Sequence, residues 1–322
     1  MKRDVKLKYG IISASSIAPR FIAAVREAGA GEIYAISSRT QEKANQKAAE
    51  WNIPIAYGSY TELLCDENVN VVYISSVNSE HYSMAKAALE KGKHVVCEKP
   101  CTISSVQTKE LFDIAEKRGL FLMEAQKMLF LPVIKQVLEA ARAGEIGEIK
   151  LIEFNHSFSA GYNNWLFEPS LGGGTLLSSG IYAIQFLLYL CGGICEVGGS
   201  FTCEEGLAEN GYTLCGKTES GVLFTIKNST SVVLDNCAKI FGTDGSIVIP
   251  DFWKARRAVI HINGRDDKTV CCPVEHELVY EAEHIKDCLA GGVTESPVVT
   301  REISVGAIEV IERIKALWSA IA

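Results

Sequence analysis

Between Lys6 and Glu124, short apolar runs alternate with amphipathic stretches of helical period, and this alternation limits the possible folds more than any other feature of the chain. Residues 7–12 read as a strand. Phe21, Val25 and Ala28 then fall at i, i+4 and i+7 of a helix that runs out at Gly29-Ala30-Gly31. Residues 33–37 form the next strand, followed by Thr40 as N-cap of a helix with Ala44, Ala48 and Trp51 on one face. Residues 71–75 and 94–97 read as strands separated by a helix closing at Gly92, and a helix through Leu111, Ile114 and Ala115 leads to a strand at 120–124. Strands that alternate with helices of about 10–15 residues imply βαβ units, and hence a parallel sheet wound on both faces.

The texture changes after a helical segment near 132–141. Residues 149–158 alternate at period two, and runs at 223–227, 232–238, 246–250 and 259–262 are bounded by Ser220-Gly221, Asp244-Gly245 and Asn263-Gly264 turns. This predicts a largely antiparallel open sheet, flanked by a helix at 280–290 and a final helix aligning Ala307, Ile311, Ile314 and Trp318. The fold class is therefore α/β followed by α+β. The domains expected are 1–124 and 125–322, with 322 residues giving each a sizeable core.

Charge and composition narrow the partners. Lys and Arg number 32 against 39 Asp and Glu, a formal net charge of −7 with no long basic run, which argues against nucleic acid. The uncharged stretch 169–195 is broken by Gly172-Gly173-Gly174, Ser178-Ser179, Gln185 and Gly192-Gly193, so it reads as a loop feeding a buried helix, with no membrane partner expected. The start, Met1 to Val5, shows no leader-type apolar region. The eleven cysteines are odd in number and match no zinc spacing, so no metal is expected; reduced thiols point to the cytoplasm.

The first strand–turn–helix carries Ser13-Ala14-Ser15-Ser16-Ile17-Ala18 where a dinucleotide site would show Gly-x-Gly-x-x-Gly/Ala. Only Ala18 fits. Serine hydroxyls can donate to phosphate oxygens, so a remodelled coenzyme turn and an ordinary tight turn with N-capping serines both remain open at this point. The second strand ends in Ser37-Ser38-Arg39-Thr40, where an NAD site would place Asp or Glu. Hydroxyls and a guanidinium suit the 2′-phosphate of NADP better, with NAD as the alternative and a solvated Arg as the bland one. Glu98-Lys99-Pro100 follows the strand at 94–97, and a lysine at a strand's carboxyl end can pass a proton to or from a substrate oxygen.

Taken in order, this turn, Ser75-Ser76-Val77-Asn78-Ser79-Glu80-His81, Val95-Val96-Cys97-Glu98-Lys99-Pro100, Met123-Glu124-Ala125, the run from Gly172 to Tyr182, and Glu295-Ser296-Pro297 resemble the glucose–fructose oxidoreductase/inositol dehydrogenase (Gfo/Idh/MocA) family. The resemblance spans nearly the whole chain and is nearest the dihydrodiol dehydrogenase and NADP-linked aldose dehydrogenase branch. It implies a Rossmann domain and a nicotinamide coenzyme held by Ser13, Ser15, Ser16, Ile17, Ser38 and Arg39. It further implies Ser76, Asn78 and His81 along the nicotinamide ribose with Glu98 nearby, Lys99 as acid/base, and Tyr182 bonding the reacting oxygen. Gln126, Trp165 and Ser178 would contact a small-molecule substrate: a sugar, polyol or cyclic diol. Taken alone, His81 reads as a capping or core histidine, and Trp165 equally as a core tryptophan. Relatives associate through the open face of the second sheet, so the resemblance also implies a homodimer or homotetramer.

The chain departs from the family in three places. Asp commonly stands where Ser178 does, an aromatic and then Arg commonly follow the position of Ala125, and two turn glycines are replaced. Two functions therefore stand side by side: an NAD(P)-dependent oxidoreductase, and a dinucleotide-binding sensor of the same fold with weakened turnover.

Overall fold

The structure, a computed structural model, describes residues 6–161, 164–273 and 276–320; Met1–Val5, where the leader reading fell, and Tyr162 and Asn163, just before Trp165, lie outside them. The chain divides into two compact units, Met1–Gln126 with His276–Ser304, and Lys127–Glu275 with Val305–Ala322.

The first unit is built on β1 (Lys8–Ile12), α1 (Ala18–Glu27), β2 (Glu32–Ser37), α2 (Gln41–Trp51), β3 (Ile55–Tyr57), α3 (Tyr60–Cys65), β4 (Val71–Ile74), α4 (His81–Glu90), β5 (His94–Glu98), α5 (Ser105–Arg118) and β6 (Leu122–Ala125). The six strands are all parallel, in the order β3-β2-β1-β4-β5-β6. Central strands of such a sheet are covered on both faces, so they carry continuous apolar runs. Val71, Val72, Tyr73 and Ile74 of β4 are accordingly all fully buried, and burying each of the aliphatic ones stabilises by about 1.5–3 kcal/mol. Thr40 caps α2 as the sequence suggests, its hydroxyl accepting from Lys43 N at 3.3 Å. The strand order reverses between β1 and β4, which opens a crevice at their carboxyl ends.

A late segment completes this unit. The helix α8 (Val279–Gly291), expected to flank the second sheet, packs on α1 instead, where Arg20 pairs with Glu277. Leu122 N donates to Thr294 O at 2.9 Å, so the chain beyond α8 runs along β6. Ser296 shows why the Glu295-Ser296-Pro297 motif has a serine at its centre. Its buried hydroxyl accepts from Val298 N and Val299 N, both at 3.0 Å, and lies 2.8 Å from His284 Nε2.

The second unit holds α6 (Pro132–Arg142), β7 (Ile149–Ser157), α7 (Ile181–Cys191), β8 (Ile194–Thr202), β9 (Gly211–Thr218), β10 (Leu223–Ser229), β11 (Cys237–Gly242), β12 (Gly245–Pro250), β13 (Arg257–Ile262) and β14 (Lys268–Cys271), together with most of α9 (Arg301–Ser319). Its eight strands run β14-β13-β12-β11-β7-β10-β9-β8. Every pairing is antiparallel except β7–β10, so the sheet is mixed at its middle. The strand expected at 232–238 is displaced to β11. Val233, 94% exposed, belongs to the irregular approach to that strand. In α9, Ala307, Ile311, Ile314 and Trp318 form the buried stripe that their spacing predicts, and the Trp318 indole donates to Gly199 O at 3.2 Å.

Pro169–Cys191 is long and apolar enough to cross a bilayer by length and composition, but 67% of an apolar 18-residue stretch within it is buried inside the protein. It consists of a short 3-10 turn, a π-helical turn (Leu176–Gly180) and α7, a core helix. All eleven cysteines are free thiols, and among the described residues there is no cluster suited to a metal ion.

Candidate active site

The carboxyl edge of the parallel sheet gathers most of the expected coenzyme residues. Ser13 follows β1 with φ of 77°, the left-handed conformation that favours glycine and that explains the usual residue there. Its N–H donates to Ser37 O at 3.2 Å, closing the turn onto β2. The Ser15 hydroxyl donates to the Ser75 hydroxyl at 2.8 Å, tying the end of β1 to the end of β4 across the point where strand order reverses. Ser16 is exposed and Ile17 is the N-cap of α1, with no side-chain cap bond. The serines therefore do not cap the helix, and the tight-turn reading loses its main support. At the end of β2, Ser38 is 2% exposed and its hydroxyl has no hydrogen-bond partner, while Arg39 is exposed. A buried unpaired hydroxyl is costly unless a ligand satisfies it. These features fit a phosphate-bearing coenzyme, with Ser13, Ser15, Ser38 and Arg39 as the residues to hold it.

Glu98 ends β5 and Lys99 follows it, both half-buried. The Tyr73 phenol donates to Glu98 Oε1 at 2.6 Å, and Lys99 N donates to Glu98 Oε2 at 3.3 Å. Tyr73 stacks flat on Phe21 of α1, with ring centroids 3.7 Å apart. Burial first, and the Glu98 carboxylate second, push the Tyr73 phenol well above its usual pKa, so it remains a donor and Glu98 an acceptor. The carboxylate is thus held from both sides next to Lys99. The Lys99–Pro100 peptide is cis. Beyond it, Cys101 N donates to Glu124 Oε1 at 3.0 Å, joining the loop to β6.

His81 differs from the expectation. It is 1% exposed, and its ring nitrogens face two backbone carbonyls, Nδ1 with Pro100 O at 2.8 Å and Nε2 with Ser76 O at 3.1 Å. It staples the β4 loop to the β5 loop. Ser76 is half-buried, and Asn78 (5% exposed) and Gln126 (0%) are buried around the same strand ends.

Trp165, Ser178 and Tyr182 lie in the second unit. Gly172-Gly173-Gly174 precede them because the backbone passes tightly over the loop before it: Gly174 N donates to Leu166 O at 2.6 Å, and a Cβ on Gly173 would strike Leu166 O. Gly174 has φ of 115°, and a Cβ there would meet the Glu209 carboxylate. That carboxylate is buried, which raises its pKa, and it accepts from Leu176 N at 2.9 Å. The anchored backbone then enters the π-helical turn that carries Ser178; such turns recur at functional sites. The Ser178 hydroxyl donates to Thr175 O at 3.4 Å, and Tyr182 opens α7, half-buried. Trp165 is 41% exposed, which rules out the core-tryptophan reading.

Sequence reasoning missed a polar cluster behind this turn. Asn228 Nδ2 donates to the Ser179 hydroxyl at 2.7 Å and faces His156 Nδ1 at 3.2 Å, and His156 lies against the Trp253 ring, 4.1 Å between centroids. The three polar residues come from β7, the π turn and β10. No local spacing connects them.

Comparison with known proteins gives the geometry a context. Residues 7–126 match the family model described as an oxidoreductase family with an NAD-binding Rossmann fold, and residues 134–248 match the GFO/IDH/MocA C-terminal domain. The chain is 33% identical over 312 residues to trans-1,2-dihydrobenzene-1,2-diol dehydrogenase of Xenopus tropicalis, covering 91% of this chain and 92% of that one. Among solved structures, levoglucosan dehydrogenase in complex with NADH and levoglucosan superposes with a TM-score of 0.90 at 17% identity, covering 99% of this chain and 98% of its own. A 3-ketoreductase from Actinomadura kijaniata, in complex with NADP and TDP-benzene, gives 0.88 at 22% identity, covering 97% and 98%. At these identities the structural likenesses establish a shared fold.

Proposed function

Because the chain belongs to the Gfo/Idh/MocA oxidoreductase family, we propose that it is a dehydrogenase or reductase that uses NADP in preference to NAD and acts on a CH–OH or C=O carbon of a sugar, polyol or cyclic diol. The observation that carries the coenzyme reading is the buried, unpartnered Ser38 hydroxyl beside Arg39, where an NAD site would present a carboxylate. A nicotinamide bound there would supply hydride-transfer chemistry, accepting hydride in oxidation and giving it in reduction. Lys99 takes the proton of the substrate hydroxyl in oxidation and returns it to the carbonyl oxygen in reduction. Glu98, held by Tyr73 and by Lys99 N, steadies the lysine's backbone. Tyr182 hydrogen-bonds the reacting oxygen, and Trp165, Gln126 and Ser178 contact the remainder of the substrate. The diol substrate in the name of the Xenopus relative, and the sugar-derived ligand of levoglucosan dehydrogenase, support this substrate class.

Ser178 favours a second reading. Without a carboxylate at that position, the chain is a weakened enzyme serving as a dinucleotide sensor. Eleven free thiols support a reducing compartment such as the cytoplasm. The family resemblance supports association of two or four copies through the second sheet.

Fluorescence titration with NADPH and NADH tests the coenzyme reading. Tighter binding of NADPH is expected. Binding of neither coenzyme would remove the whole proposal, and turnover of an aldose, polyol or diol by the NADPH-binding protein would exclude the sensor.

A further inference from the structure

We infer that Ser179 and Asn228 are positioning residues for the reaction, holding the π-helical turn in the register that sets where Tyr182 stands. Both roles rest on the reading of Tyr182 as the residue that bonds the reacting oxygen, and neither side chain needs to touch substrate or coenzyme.

The turn spans Leu176–Gly180, and Ile181 N donates to Leu176 O, five residues back instead of four. One residue in excess of the α-helical ladder is thereby taken up just ahead of α7. Each residue of an α-helix advances about 100° around the axis, so relaxation of the turn into regular helix would swing Tyr182, the second residue of α7, by that angle. The wider register therefore has to be fixed by contacts from other elements.

Both ends of the turn are gripped. At its start, Thr175 N and the Thr175 hydroxyl donate to Glu209 O at 3.1 and 3.2 Å, and Leu176 N donates to the Glu209 carboxylate. Near its end, the Ser179 hydroxyl bonds back to Thr175 O at 2.9 Å, a contact that competes with the helical ladder and bends it. A carbonyl only accepts, so the Ser179 hydrogen is committed there and its oxygen is left to accept. Asn228 Nδ2 supplies that donor at 2.7 Å. The same amide nitrogen then donates to His156 Nδ1 at 3.2 Å, which places the hydrogen of the neutral imidazole on Nε2. His156 stands opposite Asn228 in the β7–β10 pairing, so the amide is anchored on two sides. Ser179 and Asn228 are both buried, where water does not compete for these bonds. From a third side, a Cβ at Gly180 would strike the Tyr212 phenol oxygen, which accounts for the glycine that ends the turn.

The test is steady-state kinetics on aldoses, polyols and cyclic diols with NADP, for wild type, Ser179→Ala, Asn228→Ala, Tyr182→Phe and the double variant Ser179→Ala/Tyr182→Phe, with NADPH affinity measured for each by fluorescence. Ser179→Ala deletes one buried oxygen and disturbs packing least, so it is decisive even where Asn228→Ala does not fold. Both should lower kcat roughly 10- to 100-fold, the cost of displacing a reacting group by about 1 Å. KM and NADPH affinity should stay within about threefold, because the lost contact is one made in the transition state. In the Tyr182→Phe background, Ser179→Ala should change kcat by less than about twofold, since the two residues act as a unit. A kcat loss that multiplies with that of Tyr182→Phe would show that Ser179 acts elsewhere. Unchanged turnover in folded Ser179→Ala would show that the turn keeps its register unaided. Either result overturns the positioning role and leaves the proposed function standing. If wild type turns over none of these substrates, or Tyr182→Phe leaves turnover intact, the functional reading itself fails and takes this inference with it.

Discussion

His81→Leu tests the stapling of the loops that follow β4 and β5. Its neutral imidazole carries one N–H, so of the two carbonyls that face it only one receives a hydrogen. Burial holds the ring's pKa below its ordinary value, outweighing the opposite pull of the two carbonyls, with Lys99 lowering it further. Leucine fills much of the same volume but leaves one buried carbonyl without its donor, a loss of about 1–3 kcal/mol. At pH 8 the variant should melt lower by roughly 2–4 °C per kcal/mol. The acid side separates this account from simple packing. Because the folded-state pKa lies below the unfolded value of about 6.5, the unfolded chain takes the proton first. The histidine's contribution is therefore complete above about pH 6.5 and is lost as pH falls below it, toward the folded-state pKa. At pH 5.5 that loss is at most about 1.4 kcal/mol, from one proton over one pH unit. Leucine has no such term, so the wild-type advantage measured at pH 8 should shrink at pH 5.5. His94, whose pKa burial also lowers, contributes to both proteins and cancels in the difference. A gap that stays constant or widens on acidification would mean that the ring is an imidazolium donating to both carbonyls, and the argument from burial would be refuted.

Other substitutions probe the rest of the site. Lys99→Met should lower kcat about 10²- to 10⁴-fold while NADPH binding stays within a few-fold; turnover within a factor of a few would reject the acid/base role. Gly174→Ala forces an L-residue to φ of 115° with its Cβ against the Glu209 carboxylate, so a stability loss of about 1–3 kcal/mol from the backbone alone is expected in thermal melts. Ser178→Asp should raise kcat several-fold by restoring a carboxylate on the π turn; a fall would show that the pocket has been rebuilt around the serine.

Much of the first unit is visible in periodicity, because its buried strands are continuous apolar runs and its longer helices carry one-sided faces. β3 and α3 escape that reading, being three and six residues long with little periodicity to detect. In the second unit β8 is invisible for a different reason: Cys195, Glu196, Ser200 and Thr202 are exposed and its middle is Val197-Gly198-Gly199, so no apolar alternation marks it. The site is legible where chemistry is local, as at Ser38-Arg39 and Glu98-Lys99. It is not legible where partners come from separate strands, as with Tyr73 for Glu98 and Asn228 for His156. His81 shows a further limit, since the pattern supplies the residue but only the structure shows both nitrogens turned to backbone.

The return of residues 276–304 to the first unit has a consequence for biosynthesis. A nascent chain released as far as Gln126 possesses every strand of the parallel sheet, yet Leu122 lacks the Thr294 carbonyl and α1 lacks the helix that covers it. About 150 further residues must leave the ribosome first, on the order of ten to thirty seconds at ordinary elongation rates. The entire second sheet is translated during that wait. The N-terminal unit is therefore first to begin synthesis yet cannot finish folding until the second sheet has been translated, and an amber-truncated product ending near residue 130 should be a target for proteolysis.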